Sequence, residues 1–172
     1  AALKIVTVSV ADNGEGTLAV TTSGDGNAAT FTNAYTAAGD FTLQAAKHLD
    51  GRAFQAGDSW TFTVLGSEGA PLPATTQVTI DPTSGSDAAF SFGDIHYTLA
   101  DAGKTYVYTI AESGTVDGVT NDGGLHEVDV TVADKGDGTL SVTPVYKQDN
   151  GTVGGITFTN TYKATETGFT VS

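Results

Sequence analysis

The sequence predicts an all-β protein, a sandwich of short strands joined by tight turns. The chain has 172 residues, 22 of them glycine, and its apolar residues alternate with threonine, serine and other polar residues instead of recurring at helical spacing. The length allows one well-buried domain with appendages. We therefore expect one core and almost no helix.

Eight runs have the alternation of strands. They cover residues 40–48, 58–66, 75–81, 88–93, 104–113, 125–134, 138–147 and 155–162. Residues that tolerate a positive φ separate them; these are Asp50-Gly51, Gly57-Asp58, Ser84-Gly85, Asn121-Asp122-Gly123-Gly124 and Gly136-Asp137-Gly138. Eight short strands at regular spacing are typical of a sandwich. Large apolar residues are predicted to fill it, namely Trp60, Phe62, Val64, Phe90, Phe92, Tyr106, Tyr108 and Ile110.

An internal repeat organises the chain. Residues 6–20 match residues 128–142, and residues 30–35 match residues 157–162. After each copy a short linker leads to an aromatic strand start, Phe41 in one case and Phe169 in the other. This pattern indicates a tandem array. We expect residues 1–36 to be the last strands of a preceding repeat, residues 37–163 to be a complete unit, and residues 164–172 to begin the next repeat or a linker.

The uncovered strand edge expected in residues 1–36 has three possible fates. It could pack poorly, extend a sheet of the complete unit, or pair with another molecule, because an open edge is a template for strand addition. The sequence leaves these open.

Composition argues against several classes of function. The net charge is −13 with only seven Lys and Arg, which opposes binding to nucleic acid. There is no cysteine, so disulfides and thiolate metal sites are excluded. His48, His96 and His126 lack the spacing of zinc ligands, and no run is apolar enough for membrane insertion. We expect neither metal nor cofactor, and no conventional active site.

Three polar residues lie where the alternation calls for an apolar one: Lys47, Glu112 and Asn160. Side chains two apart on a strand face the same way. Lys47 shares a face with Phe41, Leu43 and Ala45. Glu112 shares one with Tyr106, Tyr108 and Ile110, and Asn160 shares one with Ile156, Phe158 and Tyr162. The sequence therefore predicts a lysine, a glutamate and an asparagine inside the sandwich.

Two interpretations of this trio are open. In the first, Lys47 and Glu112 form a buried salt bridge with Asn160 hydrogen-bonded nearby. In the second, desolvation favours the neutral forms of the amine and the acid, and a neutral amine is a nucleophile. Lys47 could then attack the side-chain carbonyl carbon of Asn160 while Glu112 donates to that carbonyl and relays protons. Ammonia would leave, and an isopeptide bond would remain.

The spacing of four segments resembles a known family. They are Lys-His-Leu-Asp-Gly-Arg at 47–52, Ala-Gly-Asp-Ser-Trp-Thr-Phe at 56–62, Tyr-Val-Tyr-Thr-Ile-Ala-Glu at 106–112 and Thr-Phe-Thr-Asn-Thr-Tyr at 157–162. Together they are similar to the intramolecular isopeptide domains of Gram-positive pilins and surface adhesins, with the FctA-like or CnaB-like fold. The resemblance implies an immunoglobulin-like (CnaB-like) β-sandwich in which Lys47 and Asn160 form the crosslink and Glu112 is the catalytic acid.

The resemblance also implies a setting. It points to an extracellular stalk repeat of a cell-wall-attached adhesin or pilus-like protein, whose partners are neighbouring repeats and which acts on no substrate but itself. A module that binds a host protein or glycan is the alternative, with Lys47 and Glu112 then only a salt bridge. Asn33 is the counterpart of Asn160 without a lysine and glutamate of its own repeat. We expect it to be unreacted.

Overall fold

The protein is described here by a computed structural model that covers residues 3–24, 30–164 and 168. The chain divides into two compact units, residues 1–35 and 36–172. In the first unit, β1 (Val6–Asp12) and β2 (Leu18–Gly24) form an antiparallel hairpin. The stretch at 30–35 is not a strand. The predicted strand start at Phe169 lies outside the described residues.

The second unit is built from strands and a single 3-10 turn over its described residues. In chain order the elements are β3 (Ala38–Asp50), β4 (Trp60–Gly66), β5 (Gln77–Ile80), β6 (Asp87–Thr98), the turn Leu99–Asp101, β7 (Thr105–Ser113), β8 (Val119–Thr120), β9 (His126–Asp134), β10 (Leu140–Gln148), β11 (Gly151–Val153) and β12 (Thr157–Tyr162). All eight predicted strands are present, with shifted ends. The all-β prediction is confirmed.

These strands form two sheets. One has the order β11-β10-β9-β7-β4-β5 and the other the order β6-β3-β12-β8. Aromatic side chains join the sheets across the interior, since the ring of Phe62 lies 4.0 Å from that of Phe90 and 4.9 Å from that of Phe158. This is the predicted sandwich. The first and last long strands, β3 and β12, are neighbours in one sheet and run parallel.

A β-bulge explains why β6 is longer than predicted. Its pairing with β3 shifts between Leu43 and Gln44, and Gly93 has a φ of +90°. The buried residues of β6 are Phe90 before the bulge, Phe92 at the bulge, and Ile95 and Tyr97 after it. The extra residue breaks the alternation, so the predicted strand ends at residue 93 whereas the strand in the structure continues to Thr98.

Two short strands were not predicted. β11 pairs with β10 through a two-residue turn whose residues, Asp149 and Asn150, have φ of 48° and 66°, the left-handed pair that suits a tight hairpin. β8 has only two residues and pairs with β12. Both are too short to show a periodic pattern. All eight residues predicted for the interior are buried.

The two hairpins of the repeat have the same register. Asp12 pairs with Leu18 in the first unit, as Asp134 pairs with Leu140 in the second, and every pair of the first hairpin has its equivalent 122 positions on. Their surroundings differ. Val6, Val8, Val10 and Leu18 are 42–65% exposed, whereas Val128, Val130, Val132 and Leu140 are at most 6% exposed.

No helix in the described residues has the length and apolar character needed to cross a bilayer.

Candidate functional site

Lys47 lies in the interior, on the face of β3 that the alternation predicts. Its side chain is fully buried, with Nζ 2.9 Å from Glu112 Oε1 and 5.1 Å from the centre of the Trp60 ring. Nζ also donates a long hydrogen bond of 3.4 Å to the carbonyl oxygen of Phe158, the residue opposite Lys47 on β12. The buried amine therefore lies between a carboxyl group, an aromatic ring and the backbone of β12.

Asn160 is fully buried on the neighbouring strand, two residues beyond the one that faces Lys47. Its amide is held by three hydrogen bonds. Nδ2 donates to Glu112 Oε1 at 3.2 Å and to Asn121 Oδ1 at 3.0 Å, and Oδ1 accepts from the backbone N–H of Asp122 at 2.7 Å. Because the N–H can only donate and the two oxygens accept, these partners define which way the amide points.

Glu112 approaches from the opposite sheet. It lies on β7, and its side chain is 1% exposed. The single oxygen Oε1 contacts both Lys47 Nζ and Asn160 Nδ2, whereas Oε2 is buried without a hydrogen-bond partner. Lys47 and Asn160, which are distant in sequence, therefore both contact one oxygen atom of Glu112.

Burial changes the acid–base behaviour of Lys47. Desolvation is the largest effect and lowers the pKa of Lys47 below its ordinary value of 10.5, although the hydrogen bond and the charge of Glu112 oppose this. A lowered pKa increases the fraction of neutral amine at a given pH. Only the neutral form of an amine is a nucleophile, so burial favours the reactive form of Lys47 relative to a lysine in water.

One detail differs from the sequence-based expectation. We expected Glu112 to donate to the carbonyl oxygen of Asn160, but Glu112 Oε1 lies at the amide nitrogen and the N–H of Asp122 lies at the oxygen. The sequence predicts Asn121 and Asp122 only as turn residues. They belong to the segment that crosses from β8 to β9, and hence from one sheet to the other. Their residue types could have indicated this role, because Asn and Asp side chains supply the polar contacts that turns need.

The sequence indicates no role for His126, but this residue borders the site. It is buried, its ring lies 3.9 Å from that of Phe158, and Nε2 lies 3.4 Å from Asp122 Oδ1. Asn33, in contrast to Asn160, is exposed. Among residues 3–24, 30–164 and 168, no group of three His, Asp or Glu side chains could hold a metal ion.

Comparisons with known proteins agree with this architecture. The model of the FctA family, described as Spy0128-like isopeptide-containing domains, matches residues 2–36 and 43–163. A comparison with curated proteins finds no match.

Among solved structures, the T-13 major pilin of Streptococcus pyogenes is 23% identical with a TM-score of 0.53, over 77% of this chain and 55% of the pilin. Another S. pyogenes major pilin is 19% identical with a TM-score of 0.50, over 76% and 51%. These likenesses concern the fold, and the chain spans about half the length of the pilins that it matches. The family match, in contrast, covers most of the sequence, and the chain belongs to the FctA family of Spy0128-like isopeptide-containing domains.

Proposed function

We propose that residues 37–163 form a self-crosslinking structural domain, in which an isopeptide bond joins Lys47 to Asn160 and Glu112 relays the protons. One observation carries the proposal. Glu112 Oε1 lies 2.9 Å from Lys47 Nζ, which must lose a proton, and 3.2 Å from Asn160 Nδ2, which must gain one. A single carboxyl oxygen can therefore serve both transfers.

The reaction exchanges one amide for another. The neutral amine of Lys47 adds to Cγ of Asn160, a C–N bond forms, and the carbonyl electrons move to Oδ1. Glu112, which in the neutral pair holds the proton taken from Lys47, gives that proton to Nδ2 and accepts the next proton, which Nζ releases. The carbonyl then re-forms, the bond between Cγ and Nδ2 breaks, and ammonia leaves. Glu112 ends in its starting state, and the domain turns over once.

A permanent salt bridge is the competing interpretation, and it accounts for less. An ionised Glu112 would keep Oε2 buried without a hydrogen-bond partner, which is costly for a carboxylate. Proton transfer from Lys47 to Glu112 removes both charges and leaves the neutral pair that the reaction uses.

The biological role that best fits is a stalk or shaft repeat of a bacterial cell-surface adhesin or pilus-like protein, located outside the cell. Family membership supports this role, as does the fold likeness to two major pilins. The crosslink would tie the first strand of the unit to the last, which suits a domain that carries load between its neighbours in an array.

The exposed hairpin of the first unit supports the domain organisation. Its apolar residues match ones that are buried in the second unit, and its register is the same. A sheet face of this composition is normally covered. We infer that residues 1–36 end a preceding repeat, whose other strands would cover this face, and that residues 164–172 lead into whatever follows.

Intact-mass spectrometry tests the crosslink. The purified chain should be lighter than its sequence by one ammonia, and fragmentation should place the bond between Lys47 and Asn160 and leave Asn33 free. Lys47→Ala and Asn160→Ala should each restore the full mass. Glu112→Gln, which keeps the shape but cannot cycle a proton, should do the same.

Two results would contradict the proposal. A wild-type chain with the full calculated mass would show that Lys47 and Glu112 form only an ion pair. Loss of ammonia from Glu112→Gln at the wild-type rate would leave the crosslink intact but remove Glu112 as the relay.

A further inference from the structure

We propose that the backbone N–H of Asp122 binds the oxyanion in crosslink formation, and that the Asp122 carboxylate holds this N–H in place. The inference rests on the proposed Lys47–Asn160 reaction and adds to it the loop at residues 121–124, which we call the oxyanion loop. Its residues are Asn121, Asp122, Gly123 and Gly124.

The first argument is the location of the charge. When the amine adds to Cγ of Asn160, negative charge develops on Oδ1, and Glu112 cannot stabilise it because Glu112 lies at Nδ2. The N–H of Asp122 lies 2.7 Å from Oδ1, within the range of effective oxyanion donors. Asn160 is fully buried, and such a donor is worth more in a low-dielectric interior than in water.

The second argument is how the loop is attached. Asp122 Oδ2 accepts a 2.7 Å hydrogen bond from the backbone N–H of Thr159, the residue immediately before Asn160. The side chain of Asp122 thus binds the backbone of β12, while the backbone of Asp122 binds a side chain of β12. These reciprocal bonds set the N–H against the carbonyl in advance, so that little reorganisation is needed during the reaction.

The loop itself is closed by the other carboxylate oxygen. Asp122 Oδ1 accepts a 2.8 Å hydrogen bond from the N–H of Gly124, and a Cβ at residue 124 would lie only 3.0 Å from that oxygen. Burial alone would raise the pKa of Asp122, but the N–H groups of Thr159 and Gly124 hold the pKa below its ordinary value. The carboxylate therefore remains ionised and keeps both bonds.

Asn121 completes the arrangement around the amide. Its Oδ1 accepts the second hydrogen of Asn160 Nδ2 at 3.0 Å, and its own Nδ2 donates to the carbonyl oxygen of Gly114 at 2.7 Å. Gly114 directly follows β7, the strand of Glu112. The oxyanion loop thus links the strand that carries the relay to the strand that carries the amide.

The charge of Asp122 and its proposed positioning role predict opposite effects on the rate of crosslinking, so an experiment can separate them. The Asp122 carboxylate raises the pKa of Lys47 by its charge. If Asp122 acted by charge alone, removing it would favour the neutral amine and speed the reaction. If Asp122 positions the oxyanion donor, removing it slows the reaction at every pH.

The experiment measures the rate of crosslinking in the full chain. Wild type, Asp122→Ala, Asp122→Asn and Asp117→Ala are purified unfolded from inclusion bodies, checked for full mass, and refolded by dilution between pH 6 and pH 10. Quenched samples give the loss of ammonia with time, and Trp60 fluorescence gives folding. Asp117 is exposed on the β7–β8 connection and controls for the loss of one carboxylate.

We expect Asp122→Ala to slow ammonia loss by about 10- to 100-fold across this pH range. Asp122→Asn should slow it less, since its carbonyl oxygen can still accept one of the two N–H groups, and Asp117→Ala should match wild type. Both Asp122 variants reacting as fast as wild type, or faster, would overturn the inference while the crosslink stands. A wild type that never loses ammonia would refute the proposed function itself.

Amide hydrogen exchange of the wild type provides a check that needs no variant. If Oδ1 keeps its hydrogen bond to residue 122 after the isopeptide bond has formed, the N–H of Asp122 should exchange at least about 10-fold more slowly than an open loop amide. If both Asp122 variants fail to fold, this measurement decides, and rapid exchange at Asp122 would overturn the inference.

Discussion

At the scale of single residues, burial determines whether the lysine of an ion pair has a raised or a lowered pKa. Lys147 forms a 2.5 Å pair with Asp129 at a half-buried position, and this hydrogen bond raises the pKa of Lys147. Lys47 forms a 2.9 Å pair with Glu112 in the interior, and desolvation lowers the pKa of Lys47. The same two functional groups thus raise the pKa of a lysine near the surface and accompany a lowered lysine pKa in the core.

The pair of Arg52 and Asp58 yields a prediction about pH. Two guanidinium nitrogens donate to the Asp58 carboxylate at 2.6 and 2.9 Å, and chiefly for this reason the pKa of Asp58 lies below its ordinary value of 3.8. The unfolded chain therefore binds a proton more readily than the folded chain. The stability from this pair is complete above the ordinary value and is lost as the pH falls through the lowered one.

Asp58→Asn should lower the free energy of unfolding by about 2 kcal/mol at pH 7, because it leaves a partly buried guanidinium without its anion. The difference from wild type should shrink below pH 3.8. Urea unfolding from pH 2 to pH 7 measures both, with exposed Asp117→Asn as a control that should change stability little. A difference that is the same at pH 2 and pH 7 would contradict the assignment.

At the scale of elements, β6 illustrates the limit of pattern analysis. Alternation correctly placed Phe90 and Phe92 in the core, but it could not anticipate that the strand continues after an inserted residue. What permits the bulge is the conformation of Gly93, with a φ of +90° and no atom near the position of a Cβ. A side chain at residue 93 is therefore restricted by the backbone conformation and not by neighbouring atoms.

Gly93→Ala should destabilise the domain by about 1 kcal/mol, the cost of a left-handed backbone for a residue with a Cβ. Gly155→Ala is the matched control, because Gly155 also has open space around it but no positive φ. Its effect should be close to zero or slightly stabilising. Chemical denaturation of both variants measures the contrast, and equal effects would argue against backbone strain at the bulge.

At the scale of the whole molecule, the arrangement of β3 and β12 defines a short path for force. The two strands are adjacent and parallel, so a pull on the start of β3 and the end of β12 loads them in opposite directions. With the proposed bond, tension would enter at Ala38, cross from Lys47 to Asn160 and leave at Tyr162. The strands between them in sequence would carry none of it.

Single-molecule stretching tests this path. Lys47 and Asn160 lie 113 positions apart, and that chain could extend by up to ~380 Å at ~3.4 Å per residue. Wild type should show no such extension for residues 37–163, and Lys47→Ala should show it in full. By analogy with a disulfide loop of this size, the bond would also add roughly 4–5 kcal/mol to stability through the unfolded state.

Asp117→Ala, which keeps the trio intact, serves as the control in that experiment. An unfolding step of equal length in wild type and in Lys47→Ala would exclude a covalent path between β3 and β12.

The sequence by itself determined which side chains point inward and that a hairpin is repeated. Alternation along a strand is a local property of the backbone, so it identified the faces of Lys47, Glu112 and Asn160 correctly. The equal register of the two hairpins follows from the same local pattern.

Tertiary structure alone decided which atoms meet. Whether Glu112 lies at the nitrogen or at the oxygen of Asn160, and that Asp122 supplies the donor for that oxygen, depends on strand order, parallel pairing and the path of the oxyanion loop between the sheets. Those relations join residues tens of positions apart. No periodicity within one strand encodes them, because each is a property of two or three elements packed together.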